Sequence, residues 1–502
     1  MTPPAFGAFR PARGAGLPPR ARLLDPNRPG PATVPTAYNS DGLIVSTQDA
    51  GTALAVAAAL RETLQRMECD FDGPSWLAAQ TTGTEPTTTS RPAPRSPAPA
   101  APTFTSGIRI SPLPGRAGIP DPWTVLTELR AHPDPDVARS VGLNHVLSTA
   151  EQVGGNPFAI GHGRVGLDSY GVPGSGGRGP LTFVGPPPQG GLEGKRPRVV
   201  LLDTAVGEHP WFAAAPPTAR FSMSDGRVVG DQIHPYPRED GAPTADPIPD
   251  PMLGTLGTHT GHGTFISGLL RQACPDVQIV ALPVMGADGM VPEHMLIRAL
   301  DLVLAKQLDC PGWADAVVMS LGYYNENPDD VAYSSGLKAL LVRLGRTGVV
   351  VFAAAGNDAT DRPSYPAAFA VDPEFAEPGI LPVVSVAALN PDGTSAAFSN
   401  NGPWVTAAAP GVNLLSIAPT ALDGSGRPQV AVQDRASIDL DSFRGGFAAW
   451  SGTSFAAPVL AGRYLRALAD VRFPDQAQLR RAVLEPLLRR KPLPANGSTV
   501  PR

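Results

Sequence analysis

Ser-Gly-Thr-Ser-Phe-Ala-Ala-Pro, from Ser451 to Pro458, runs into the apolar segment Val459–Leu468, whose composition suits a buried helix. A serine at the mouth of such a helix has a positive dipole behind it and free backbone N–H groups around it. Both favour an oxygen nucleophile and the oxyanion that follows its attack. Gly452 permits a close approach, Ala456 and Ala457 permit close helix packing, and Pro458 reads as a first-turn proline that costs no hydrogen bond. The alternative is a Ser/Thr cap on an ordinary core helix, and a bare Gly-Thr-Ser does not separate the two.

Three upstream segments bear on the choice. Val199–Thr204 is an apolar run ending in a carboxylate, the pattern of a buried parallel strand. It places Asp203 at the carboxyl edge, where open α/β sheets carry their sites. Gly261-His262-Gly263-Thr264 leads into the apolar Phe265–Leu270 and reads as a helix with a histidine in its first turn. Val349–Ala355 runs into Gly356-Asn357-Asp358, a second buried strand ending on an amide. Singly, these have bland meanings: a strand-end turn aspartate, a loop histidine, an Asx turn. Together, in the order Asp, His, Asn, Ser, the four segments resemble the subtilisin-like (subtilase) serine proteases of the peptidase S8 type.

The resemblance extends from about residue 196 to about residue 474. It implies an Asp203–His262–Ser454 triad, with Asn357 as an oxyanion donor, in an endopeptidase that forms an acyl-enzyme. It implies further that Val284–Gly289, including Gly286 and Gly289, and Ser320-Leu321-Gly322 are two edges that hold an extended polypeptide. Ala354-Ala355-Gly356 resembles a wall of the pocket for the residue at the cleaved bond, and Ser364 in Ser364-Tyr365-Pro366 resembles its base. Ala396–Ser399, Asn401-Gly402-Pro403 and Ala409–Val412 resemble the strand and turn ahead of the nucleophile. The chain departs from the pattern at Ala205, Phe265 and Phe455, and it lacks an inserted calcium-ligand loop between His262 and Gly286. No metal and no cofactor are expected. A catalytically silent binding module and an esterase or amidase for small substrates are the competing functions; the first would have lost a catalytic group, and the second needs no substrate edges.

The alternation of apolar strands and helix-like segments from Arg196 to Pro474 predicts an α/β fold, a doubly wound and mostly parallel sheet flanked by helices. Strands are expected at Gln278–Pro283, Ala316–Ser320, Val349–Ala354 and Leu381–Ala388. Helices are expected at Val291–Leu308, Ser334–Arg346 and Phe455–Leu468, and residues 475–502 read as a C-terminal helix and tail. Two insertions, Asp225–Pro251 and Ala421–Phe447, interrupt the pattern.

Ahead of it, residues 1–36 read as disordered and residues 37–150 as a smaller α/β region. That region carries a strand at Gly42–Thr47 and a helix at Ala50–Met67 capped by Thr47 or Asp49. It continues with a strand at Gly107–Ser111 and helices at Trp123–Ala131 and Val141–Ala150, interrupted by a Thr/Pro/Ala linker over 81–103. Residues 151–195 read as a Gly/Pro-rich linker. By position the region resembles an inhibitory propeptide, with a docking module as the alternative.

The whole chain has 502 residues, 59 proline, 54 glycine and a net charge of −5, which argues against a nucleic-acid partner. Three cysteines do not make a disulfide framework. No signal-like h-region follows Met1, and the apolar run Ala53–Leu60 is too short to span a bilayer, so no membrane partner and a cytoplasmic location are expected.

Overall fold

A computed structural model describes residues 21–24, 35–47, 49–74, 77, 104–116, 118–148, 178–192, 195–212, 256–326, 335–428, 430–471 and 477–488. The linker at 81–103 and the insertion at Asp225–Pro251 lie outside the described residues.

The first packed unit runs β1 (Ala21–Leu23), β2 (Ala37–Thr47), α1 (Ala50–Arg66), β3 (Cys69–Asp72), β4 (Phe104–Pro112), α2 (Pro122–Arg130), α3 (Pro135–Arg139) and β5 (Val141–Ser148). The strands lie in the order β3-β4-β2-β5, with β1 paired to β2, all antiparallel. The Asp49 carboxylate caps α1 through Thr52 N at 2.8 Å, and Asp121 and Asp134 cap α2 and α3 ahead of N1 prolines. Leu43, Val45, Val56, Leu60, Leu64, Ile108, Val125, Leu126, Leu129 and Leu143 form a core of its own.

Two expectations change here. Ala21–Leu23, inside the stretch read as disordered, pairs with Tyr38 and its neighbours. Val141–Ala150, read as a helix, is the strand β5 up to Ser148, with Thr149 and Ala150 outside the described residues. Every residue from Val141 to Leu147 is buried. A strand covered on both faces loses the period-2 signal, and an apolar run of this length does not distinguish helix from strand.

The second unit begins with β6 (Gly179–Leu181) and β7 (Arg198–Asp203). It continues through α4 (His262–Ala273), β8 (Gln278–Pro283), β9 (Met290–Pro292), α5 (Glu293–Asp309), β10 (Ala316–Met319), α6 (Ser335–Arg346), β11 (Val350–Ala354), β12 (Val383–Leu389), β13 (Ala407–Pro410) and β14 (Leu414–Ile417). The small hairpin β15 (Ala431–Val432) and β16 (Arg435–Ala436) follows, then β17 (Phe447–Trp450), α7 (Thr453–Ala469) and α8 (Ala477–Leu488). Six strands form a wholly parallel sheet in the order β13-β12-β11-β10-β7-β8.

Alternate residues of these strands feed two different cores. Val200, Leu202, Val317, Met319 and Val351 pack with residues of α5 and α6, such as Leu300, Val303 and Leu341. Val199, Leu201, Val318, Val350 and Phe352 pack with residues of α4 and α7, such as Ile266, Leu270, Leu460 and Tyr464. The sheet is therefore doubly wound, with helices on both faces, as the apolar runs require. The strand order reverses between β7 and β10, the kind of switch point at whose carboxyl ends open α/β sheets form a crevice.

Part of the presumed linker at 151–195 is structured. Gly179–Leu181 adds a third strand to the antiparallel β14-β17-β6 sheet, and the Asp276 carboxylate accepts from Gly191 N and Leu192 N. No helix of the described residues is long and apolar enough to cross a membrane.

The two units share a sheet. Val146–Ser148 of β5 pairs antiparallel with Met290–Pro292 of β9, and Ser148 forms a reciprocal bridge with Gly322, at 3.0 and 2.9 Å.

Candidate active site

Asp203 ends β7 at the topological switch, buried, and its Oδ1 accepts from His262 Nδ1 at 2.7 Å and from Thr204 N at 2.8 Å. The strand end and the start of α4 are tied together beyond that pair. Thr204 Oγ1 accepts from Gly263 N at 2.9 Å, and Thr264 Oγ1 accepts from Gly207 N at 2.8 Å. A Cβ on Gly263 would meet the Thr204 carbonyl oxygen at 2.4 Å, so glycine is required for this approach. The His262 ring lies against an aromatic wall: Trp450 edge-on at 5.4 Å and Phe455 at 5.1 Å between centroids. Phe265 and Phe455 pack on each other and on Trp450. Two of the departures from the subtilase pattern, Phe265 and Phe455, thus fill one apolar cluster beside the imidazole.

Ser454 is the second residue of α7 and is buried, and its Oγ has no hydrogen-bond partner among the described residues. Asn357 follows β11 and is aimed by Thr453. Its Oδ1 accepts from Thr453 N and Thr453 Oγ1, both at 2.8 Å. That fixes the amide so that Nδ2 is the outward donor, and Nδ2 is buried with no partner among the described residues. An unpartnered buried donor costs stability unless something else accepts from it.

Pro458 corrects the sequence reading. It lies inside α7, in the second turn rather than the first. A proline there lacks the N–H that would bond to the carbonyl four residues back, which is that of Ser454. The vacancy is filled from another strand end: Ser320 Oγ donates to Ser454 O at 2.8 Å. Ser320 therefore braces the serine backbone.

Of the expected substrate edges, Gly322 pairs with Ser148. A Cβ on Gly322 would meet Ser364 Oγ at 2.6 Å, which brings Ser364 to the same wall. Leu321 is buried in the core and offers the cleft no side chain. The segment expected to form the opposite edge holds a turn. Gly286 and Gly289 close a turn, with Gly289 N bonded to Gly286 O at 2.9 Å and Met290 N to Asp288 Oδ1 at 3.0 Å. The pairing strand is Met290–Pro292, just beyond that turn. Asx chemistry and the positive φ of Gly289 make this turn.

Ala354 ends β11, and Ala355 and Gly356 continue it, with Gly356 N donating to Thr453 Oγ1 at 3.1 Å. Asn400, a residue the sequence reading passed over, holds this loop. Its Oδ1 accepts from Asp358 N and Thr360 N, and its Nδ2 donates to Ala355 O and Tyr324 Oη. Its adjacency to the quoted Asn401-Gly402-Pro403 was the available signal. Burial and the neighbouring Asp358 push the Tyr324 phenol well above its ordinary range, which keeps it a neutral donor to Asp358. Among the described residues there is no group of three or more His, Cys, Asp or Glu that could hold a metal.

The chain is similar to several known proteins. "Subtilisin-like protease 1" of Arthroderma gypseum is 30% identical over 226 residues, 43% of this chain. The chain spans only 38% of that protein's length. The "Intracellular serine protease" of Paenibacillus polymyxa is 24% identical over 310 residues, 59% of this chain and 72% of that protein. Among solved structures, a cold adapted subtilisin-like serine proteinase is similar at 21% identity and a TM-score of 0.37, over 57% of this chain and 81% of that one. The model of the subtilase family, peptidase S8, matches residues 194–486, more than half the sequence and the whole of the crevice just described, and the chain belongs to that family.

Proposed function

We propose that this protein is a serine endopeptidase with Ser454 as its nucleophile. Asp203 holds the His262 imidazole through Nδ1, which leaves Nε2 as the basic nitrogen. His262 takes the Ser454 hydroxyl proton as Oγ attacks the scissile carbonyl carbon, and then returns it to the leaving amine. Asn357 Nδ2 and the Ser454 backbone N–H donate to the tetrahedral oxyanion. Water then cleaves the acyl-enzyme by the same route, with His262 as base and Ser454 as leaving group. The observation that carries the reading is the amide of Asn357, locked by Thr453 with its buried Nδ2 left to donate next to the serine.

Extended polypeptides are the substrate class, because an edge strand and Gly322 offer backbone pairing before any side chain is read. The N-terminal unit occupies those positions through β5, which supports its role as an intramolecular inhibitor that competes with substrate. Fluorophosphonate treatment followed by peptide mass mapping tests the reading. One adduct on Ser454, abolished by His262→Ala, is expected; an adduct elsewhere, or none, would contradict it.

A further inference from the structure

β5 carries a histidine into the second unit. His145 is 1% exposed, its Nδ1 lies 2.7 Å from Glu293 Oε2, and its Nε2 lies 2.9 Å from Glu326 Oε2. Its ring stacks on Tyr323, with centroids 4.4 Å apart and planes at 19°. The other Glu326 oxygen accepts from Arg130 Nη2 of α2 at 2.6 Å. Tyr323 Oη donates to Glu293 Oε1 at 3.4 Å.

The contributions divide sharply. Both cations bonded to the carboxylates, His145 and Arg130, come from the N-terminal unit, whereas Glu293, Glu326 and the aromatic face come from the catalytic unit. Among the described residues, other charged groups nearby include Arg362, whose guanidinium donates to Asn325 O and lies over Tyr324, Asp358, which accepts from Tyr324 Oη, and His294, which is paired with Asn144. Burial pulls the His145 imidazole down, but Glu293 and Glu326 outweigh it and raise it to about 9. Burial likewise opposes ionisation of Glu326, yet His145 and Arg130 bring it to about 2. The group seated between the carboxylates is thus a cation at neutral pH.

We propose that Glu293, Glu326 and the face of Tyr323 form a cation-selective subsite of the catalytic unit, which takes an arginine, lysine or protonated histidine of an extended polypeptide at the strand position that His145 fills. The proposal rests on the reading of the unit as an endopeptidase whose substrates follow the path of β5. That position lies three residues before the one bridged to Gly322. Strand period places Leu147 on the same face, and Leu147 is buried in the catalytic-unit core beside Val291 and Tyr323. The recognised pattern is therefore a cation followed two residues later by an aliphatic side chain. An acidic side chain at the first position would face two carboxylates, so the subsite rejects as well as selects.

The test is kcat/KM for peptides in which one arginine is moved stepwise through an uncharged sequence upstream of the cleaved bond. One position, two before an aliphatic residue, should exceed its alanine counterpart by about tenfold, with glutamate worse than alanine. In Glu293→Gln, Glu326→Gln and the double variant, that arginine-to-alanine ratio should fall toward one. An equal ratio at every position, or an unchanged ratio in the double variant, would overturn the subsite. Absence of any peptide turnover by the wild type, assayed also above the point near 9 where His145 loses its charge and the N-terminal unit loosens, would instead overturn the endopeptidase reading. The pocket is then read in the full chain carrying Ser454→Ala, by comparing His145→Arg with His145→Leu. A melting temperature held by arginine and lowered by leucine supports cation selection; equal or higher stability with leucine contradicts it.

Discussion

At the scale of single residues, the four groups proposed to carry the chemistry were legible because they sit in short segments of unusual composition. Asp203, His262, Asn357 and Ser454 each follow or open an apolar run, and the structure brings Asp203 and His262 within 2.7 Å across 59 residues of chain. The supports were harder to read. Ser320 braces Ser454 only because Pro458 withholds an N–H, a relation between a missing donor and a distant hydroxyl that no local pattern encodes. Two outcomes follow. Asn357→Ala should lower kcat by about 10²–10³ with little change in KM, a magnitude carried over from a subtilisin rather than deduced from this geometry. Normal kcat would remove Asn357 from the oxyanion role. Ser320→Ala leaves the buried Ser454 carbonyl unpaired and should cost about 1–3 kcal/mol of stability in denaturant unfolding. An unchanged midpoint would show that the brace is not needed.

At the scale of elements, the central strands and helices of the second unit were legible from apolar runs and their alternation, whereas β5, β6 and β9 were not. The sequence reading assigned β5 to a helix and put the substrate edge on the Gly286–Gly289 turn. β9 pairs with β5 about 145 residues away in sequence and β5 also pairs with β2 about 100 residues away, and such contacts leave no local trace. The same junction gives the protein a pH dependence. His145 has an ordinary value of 6.5 and is raised to about 9 in place, so its stabilising charge is complete below 6.5 and is lost as pH rises through about 9. Glu326 has an ordinary value of 4.5 and is lowered to about 2, so its contribution is complete above 4.5 and is lost as pH falls through about 2. The melting temperature of full-length Ser454→Ala protein should therefore be highest between these limits and decline toward alkaline pH. In His145→Leu that alkaline decline should be much reduced, with a lower plateau, because breaking one partner out of a buried ion group costs about 3–5 kcal/mol. A variant with the same alkaline slope as its parent would mean that another group controls the junction.

At the scale of the whole molecule, the doubly wound sheet follows from strands that are apolar on both faces, which only two layers of helices can cover. That much the sequence dictates. The placement of the N-terminal unit against Met290–Pro292 and Gly322 is set instead by a shared sheet and a buried group of charges, neither of which composition reveals. The central claim is that one serine, reached by polypeptides along those edges, performs acyl transfer. Casein hydrolysis by the full chain and by Ser454→Ala, prepared in parallel and assayed from neutral pH to above the point near 9 where His145 loses its charge, tests it most directly. Hydrolysis by the wild type, rising as the N-terminal unit loosens, is expected, and none by the variant at any pH. Equal hydrolysis by both proteins, or none by the wild type across the whole range, would contradict it.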